Sequence, residues 1–275
     1  MSEAREFETQ APHRTRWLRL ATFIILLAGL GIAVDALFVE PYAIEVTHSE
    51  IHGRVAAPLK IAHLTDLHTH GVGRRERRMF AVLEAEKPDL IVITGDTLAG
   101  WGGNYRMCRD VLQKLHAPLG VWTVRGNWEN WKPLRHEASF YQAAGVHLLV
   151  NAGALVRPDV WLAGLDDPYS GTARLDAALA GAPPDAFTIA LFHSPAFFDH
   201  TEGRAQLSLA GHTHGGQVHI PLIPTFWLPR GSGDFLAGWY EGGDSKMYVS
   251  RGLGTSILPV RFLCRPEIAF ITVEP

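Results

Sequence analysis

The sequence predicts an α/β (α+β) domain of two packed sheets with helices outside, preceded by one N-terminal transmembrane helix. Three observations predict it. Apolar strand-like runs alternate with helical patterns between residues 59 and 145, as when helices connect the strands of a sheet. Short apolar runs dominate from 146 to 273, as in a second sheet. Leu20 to Val39 is twenty residues with one charge, Asp35. Twenty helical residues span about 30 Å, roughly the hydrocarbon core of a bilayer.

Composition narrows the class. The chain has 275 residues, 47% hydrophobic and 19% charged, which allows a sizeable core and excludes disorder as the main state. Lys+Arg 25 against Asp+Glu 28 gives a net charge of −3, so no nucleic-acid partner is expected. Two cysteines, Cys108 and Cys264, exclude a disulfide framework and an all-cysteine zinc site. The 14 histidines direct attention to imidazole and carboxylate chemistry.

In chain order, residues 1–19 form the segment before the anchor and carry Arg5, Arg14, Arg16 and Arg19. After the apolar run, to residue 60, stand only Arg54 and Lys60. The positive-inside rule puts the N-terminus in the cytoplasm and the domain outside a single-pass cell (inner) membrane anchor over 20–39. A cleaved signal peptide is the competing reading, because the uncharged part, Leu20–Val34, is only fifteen residues. Residues 40–58 are a linker or first strand, and 59–275 the main domain. Strands are expected at 59–65, 90–94, 120–124, 146–150, 153–156, 160–163, 187–192, 206–210, 218–220, 247–250 and 268–273. Helical spacing marks 74–86, which Lys87-Pro88 stops, then 105–115, 133–144 and 172–180. Residues 220–234, rich in Pro and Gly, read as a long loop.

The polar residues sit where strands end. These ends carry Asp66-x-His68, Gly95-Asp96, Gly126-Asn127, His193 and Gly211-His212-x-His214. In open α/β sheets that edge binds ligands. Any one of these is equally well a loop cap or a turn. Five in order, each closing an apolar strand, point to metal. Oxygen and imidazole donors without thiolate suit Mn, Fe or Zn. Seven donors exceed one ion and fit two divalent ions sharing a carboxylate, the clamp used for in-line phosphoryl displacement.

This series resembles the calcineurin-like metallophosphoesterases over about residues 59–275. The resemblance implies a four-layer α-β-β-α sandwich. It implies Asp66, His68 and His214 as ligands of a first metal, Asn127, His193 and His212 of a second, and Asp96 as the bridge. A hydroxide held between the ions would attack phosphorus. The anchor, Gly211–Gln217 and the tail segments Val249–Gly254 and Arg261–Glu267 resemble a membrane-associated branch. Some members of that branch cleave the pyrophosphate of UDP-2,3-diacylglucosamine in lipid A synthesis. One position departs from the family pattern: Trp128 follows Asn127 where a proton-donating His is usual. An indole donates a hydrogen bond and no proton near neutral pH. A pyrophosphate leaving group needs little acid help; otherwise His70 is the first candidate donor. Asp96, Asn127 and His70 are the catalytic candidates.

Arg74, Arg75 and Arg125 are the candidate substrate contacts, since Arg suits phosphate; for the 74–78 run a solvated charged face is an even alternative. Ile220–Pro229 is either a self-packed loop or an apolar lip for acyl chains or the bilayer. The partners expected are a phosphorylated, possibly lipid, substrate and the membrane itself. The alternatives are a broad phosphodiesterase or phosphatase with a soluble substrate, and a non-catalytic metal-binding scaffold of the same fold.

Overall fold

The computed structural model describes residues 12–98, 105–225 and 227–275, with side chains from residue 16. Arg5, the Arg14 side chain and Phe226 of the 220–229 segment lie outside the described residues.

Helix α1 (Pro12–Val34) continues through a wider π turn over Asp35–Val39 and a 3₁₀ turn over Glu40–Tyr42. The stretch Arg16–Tyr42 is long and apolar enough to cross a membrane, and little of it is buried. A core helix of a soluble domain would be mostly buried.

The first sheet holds β1 (Glu45–His52), β2 (Leu59–Leu64), β3 (Leu90–Thr94), β4 (Val121–Val124), β5 (His147–Leu148) and β12 (Glu267–Glu274). Their spatial order is β1-β12-β2-β3-β4-β5, and β2 to β5 run parallel. The second holds β6 (Ala152–Arg157), β7 (Val160–Gly164), β8 (Phe187–Leu191), β9 (Leu207–Ala210), β10 (Gly238–Gly242) and β11 (Ser245–Val249). Its order is β10-β11-β9-β8-β7-β6, with β7, β8, β9 and β11 parallel. Helices α2 (Arg74–Glu86), α3 (Tyr105–Leu112), α4 (Asn127–Trp131) and α5 (Glu137–Ala143) follow strands of the first sheet. α6 (Leu175–Leu179) and α7 (Phe198–Thr201) follow strands of the second.

Alternation along the strands builds four layers. Leu59 and Ile61 of β2, with Leu90 and Val92 of β3, point inward against Leu162, Ile189 and Leu207 of the other sheet. Ala62, Leu64, Ile91 and Ile93 point outward onto Met79, Val82 and Val111 of the helices. Trp161, Ala163 and Ala190 pack outward on Leu175, Ala178 and Phe198. Strands buried on both faces read as continuous apolar runs, which is why they were visible in the sequence.

Of the two readings of residues 40–58, a strand over 45–52 is the one found: β1 pairs in parallel with β12 at the sheet edge. Other elements differ from the sequence expectation. The helix expected over 133–144 starts only at Glu137, after the 127–131 helix and Pro133. Residues 218–220 make a single bridge, Val218 to Phe262. β10 is Gly-Trp-Tyr-Glu-Gly and pairs with β11 across Gly243-Asp244, a two-residue hairpin turn with Gly243 at φ +56°.

Candidate metal centre

The parallel strands end at one edge, and their ends converge there. Asp66 and His68 follow β2, Asp96 follows β3, Asn127 opens α4 after β4, His193 follows β8, and His212 and His214 follow β9. Asp66, His68, Asp96, His212 and His214 all have positive φ, between 39° and 73°. Left-handed backbone costs a residue with a Cβ energy, and such positions cluster where side chains must be aimed. Every one of the seven is buried.

The carboxylates are each half tied. Asp66 Oδ2 accepts from the Thr65 hydroxyl at 2.8 Å and from the His212 N–H at 2.9 Å. Its Oδ1 is buried without a hydrogen-bond partner among the described residues, and lies 3.1 Å from His214 Nε2. Asp96 Oδ1 accepts from the Trp128 N–H at 2.9 Å. Its Oδ2 faces His193 Nε2 at 3.3 Å and His68 Nε2 at 3.6 Å. One free oxygen from each therefore points into the centre.

The imidazoles are oriented from behind. His193 Nδ1 donates to the Thr94 carbonyl at 2.7 Å, which leaves a lone pair on Nε2. That atom faces Asn127 Oδ1 at 3.1 Å. In the neutral ring two acceptor lone pairs would meet at this distance, so the contact calls for a proton on Nε2 or a cation between the two atoms. His68 Nε2 and His214 Nε2 face each other at 3.3 Å. His212 Nε2 donates to the Arg230 carbonyl at 2.9 Å, which in the neutral ring leaves the lone pair on Nδ1.

Two groups can each hold a cation: Asp66, His68 and His214, and Asp66, Asp96 and His193. The titration pattern agrees. Burial pushes Asp66 up, but His214 and His193 outweigh it and hold the carboxyl well below its usual range. Burial disfavours a charged His193, yet Asp96 and Asp66 raise it well above its ordinary value. Burial drops His68 to about 4, against the pull of Asp96. Buried carboxylates that stay ionised and stabilise a charged imidazole beside them would stabilise a divalent ion in its place. The donor set therefore fits two such ions, with oxygen and imidazole atoms only.

Supporting residues missed in the sequence appear around this floor. Glu129 is buried and accepts from the N–H groups of Asp96, Thr97, Leu98 and Gly126 at 2.9–3.3 Å. It sits three residues after Gly126, a helix-start spacing that could have marked it. Burial and the Asp96 charge raise its pKa to about 7. Gly252 (φ +69°) comes so close that a Cβ would stand 2.8 Å from Asp66 Cβ. Arg261 is fully buried and donates to the carbonyls of Arg251, Gly252, Gly254 and Cys264 at 2.6–3.1 Å, locking that loop under the site.

Other candidates lie elsewhere. His70 is exposed and does not line the cavity over the centre. Arg75 donates to the Leu67 carbonyl at 2.7 Å and pairs with Glu76 at 2.9 Å. Arg74 lies 5.3 Å from the centre of the Tyr42 ring. Arg125 pairs with Glu137 at 2.5 Å, because its strand end points it toward α5. The arginine that does line the cavity is Arg230, whose guanidinium lies 5.7 Å from the centre of the Tyr169 ring. Trp128 lines it too, edge-on to His68 at 6.0 Å between ring centres.

With this geometry in hand, a match of residues 59–216 to the model of the calcineurin-like phosphoesterases decides the family. The chain belongs to it. The metallophosphoesterase YkuE of Bacillus subtilis is 30% identical over 90% of this chain and 92% of its own length. A Bos taurus transmembrane protein with metallophosphoesterase domain is 30% identical over 95% of this chain and 64% of its own. The phosphodiesterase YaeI of Escherichia coli is 28% identical over 78% of this chain and 82% of its own. The chain is thus a phosphoester hydrolase of a family that works with two divalent metals, and its two-sheet α/β fold is the one expected.

Proposed function

We propose that Asp66, His68 and His214 hold one divalent ion (Mn, Fe or Zn), that Asn127, His193 and His212 hold a second, and that Asp96 bridges them. The substrate is a membrane-associated phosphodiester or pyrophosphate, such as UDP-2,3-diacylglucosamine in lipid A synthesis. One observation carries the substrate class. A cavity of about 450 Å³ opens directly on Asp96, Asn127, His212 and His214, and its walls are Trp128, Trp131, Val218, Trp227, Leu258 and Val260. A polar floor under apolar walls suits a molecule with a phosphate at one end and hydrocarbon at the other.

When bound, the two ions supply a clamp of positive charge for the phosphoryl group and acidify water. The chain's own residues orient the reaction. Glu129 fixes the Asp96 loop, the Trp128 N–H fixes the Asp96 carboxylate, and the Thr94 carbonyl fixes the His193 tautomer. Arg230 offers a guanidinium to substrate phosphate. With Trp128 in place of a proton donor, a leaving group that departs as an anion is favoured, as a nucleoside monophosphate does. The exposed apolar run of α1 supports a retained anchor, and the arginines before Leu20 support a cytoplasmic N-terminus.

The name of YaeI supports a diester substrate and no more, and a second reading is a broad phosphodiesterase with a soluble substrate. Assays with Mn²⁺ in mixed micelles separate the two. The lipid reading expects faster release of nucleotide from UDP-2,3-diacylglucosamine than of nitrophenol from bis-p-nitrophenyl phosphate. Equal rates on soluble and lipid diesters favour the second reading. No metal-dependent turnover of either would leave a scaffold.

A further inference from the structure

We propose that the loop residues 219–225, 227–230 and 255–263 form a lip that seats in the bilayer crossed by α1, with the arginines at the start of α2 on anionic headgroups. This rests on α1 being the membrane anchor. Three observations carry it.

The first is depth. The Arg261 N–H donates to the Ala36 carbonyl at 3.0 Å. The Glu40 carboxylate, buried, accepts from the Leu263 N–H at 2.8 Å and from the Cys264 N–H. Ala36 stands three residues before the end of the apolar run at Val39, about 5 Å at 1.5 Å per residue. Segment 261–264 is therefore pinned beside the last turn of the membrane helix.

The second is apolar exposure on the loops joined to that segment. Leu222 is fully exposed, Ile257 is 79% exposed, and Ile223, Trp227, Leu258 and Leu263 are more than half exposed. The two loops are tied together: Phe262 N–H donates to the Gln217 carbonyl at 2.9 Å, His219 N–H to the Phe262 carbonyl at 2.8 Å, and Gln217 Nε2 to the Leu258 carbonyl at 3.4 Å. These side chains thus belong to one surface around the cavity mouth, a patch that water disfavours and a bilayer accepts.

The third is charge. The stacking of Arg74 on Tyr42 sets the start of α2 beside the exit of α1. Arg74, Arg77 and Arg78 are exposed there, at the level where tyrosine and arginine meet headgroups. The cavity mouth then opens to the bilayer surface, and an amphiphile reaches the centre without crossing water.

The test uses the full chain in phosphatidylglycerol–phosphatidylcholine vesicles. Leu222→Cys, Leu263→Cys and, as reference, Leu155→Cys on edge strand β6, exposed as well, each carry an environment-sensitive fluorophore; both native cysteines are buried. Doxyl-labelled lipid should quench the labels at 222 and 263 several-fold more than the label at 155. Equal quenching overturns the lip. A carbonate wash separates the two claims: retained protein with unquenched labels removes the lip alone, and released protein removes the anchor and the lip together. Shielding of 222 and 263 in detergent without doxyl-lipid, at the mass of a dimer, would assign the surface to a second copy and overturn the bilayer as its occupant.

Discussion

The two sheets contribute unequally to the centre. The first supplies Asp66, His68, Asp96 and Asn127, and with them both carboxylates. The second supplies His193, His212 and His214, three of the four imidazoles, and no carboxylate. The sheets meet here through Asp66 Oδ2, held by the N–H of His212, and elsewhere through Glu267 of β12, which accepts from Thr47 of β1 at 2.8 Å and from Tyr248 of β11 at 2.5 Å. Glu267 also has Arg251 as a counter-charge at 3.3 Å. Asp66 and Asp96 have no Lys or Arg partner among the described residues, only imidazoles, N–H groups and the Thr65 hydroxyl. Uncompensated buried charge is costly. The contrast teaches that Glu267 is built to be satisfied by protein, and the Asp66–Asp96 pair by cations.

The largest break in that contrast is Asp96→Asn. It removes the oxygen that faces both His68 and His193. Metal-dependent turnover of bis-p-nitrophenyl phosphate should fall by more than about 100-fold, beyond the range for losing a supporting contact to a ligand. A smaller loss would mean that Asp96 is one of those supports. Trp128→His probes the first sheet's contribution to the leaving group. Activity toward alkyl phosphodiesters should rise by up to about 100-fold, the lower range for a general acid, with little change for activated aryl esters. Equal effects on both would remove an acid role from this position.

Glu129→Gln is the next step down. Each carboxylate oxygen serves two of the four backbone N–H groups, so the amide oxygen of Gln keeps one pair and the NH₂ leaves the other pair without an acceptor. The Mn²⁺ concentration for half-maximal activity should rise about 10- to 100-fold, with kcat at saturating metal largely kept. Glu267→Gln, away from the centre, should leave metal affinity alone and cost about 1–3 kcal/mol of stability. Burial raises the Glu267 pKa, but Arg251 and the backbone N–H hold it below the ordinary 4.5. A depressed carboxyl contributes stability above its unfolded pKa and loses it as pH falls through its folded pKa. Wild-type Tm should therefore drop below about pH 4.5 more steeply than that of the variant, which thermal melts across pH 3–6 would read.

The site was legible in the sequence to the extent that metal binding dictates residue type. Asp66-x-His68, Gly95-Asp96, Gly126-Asn127, His193 and Gly211-His212-x-His214 each close a strand buried on both faces, so the apolar run located the end and the polar residue followed. What supports them was less legible, with only the spacing of Glu129 from Gly126 to mark it. Glu129 reaches N–H groups more than thirty residues back in the chain. Arg261 satisfies carbonyls, which leave no signature in side-chain pattern. Arg125 neighbours the Gly126-Asn127 turn in sequence, but its strand end points it at Glu137. Arg230 sits in a Pro- and Gly-rich loop without periodicity, and only the fold brings it over the centre. β10 was lost among glycines and its hairpin partner was needed to define it.

Metal content tests the central claim most directly. Purified protein loaded with Mn²⁺, desalted and measured by elemental mass spectrometry, should carry two ions per chain. Folded His193→Ala, which removes a donor from the second sheet alone, should keep one. An active wild type with one ion or none, or a His193→Ala variant that still holds two, would contradict a centre shared between the sheets.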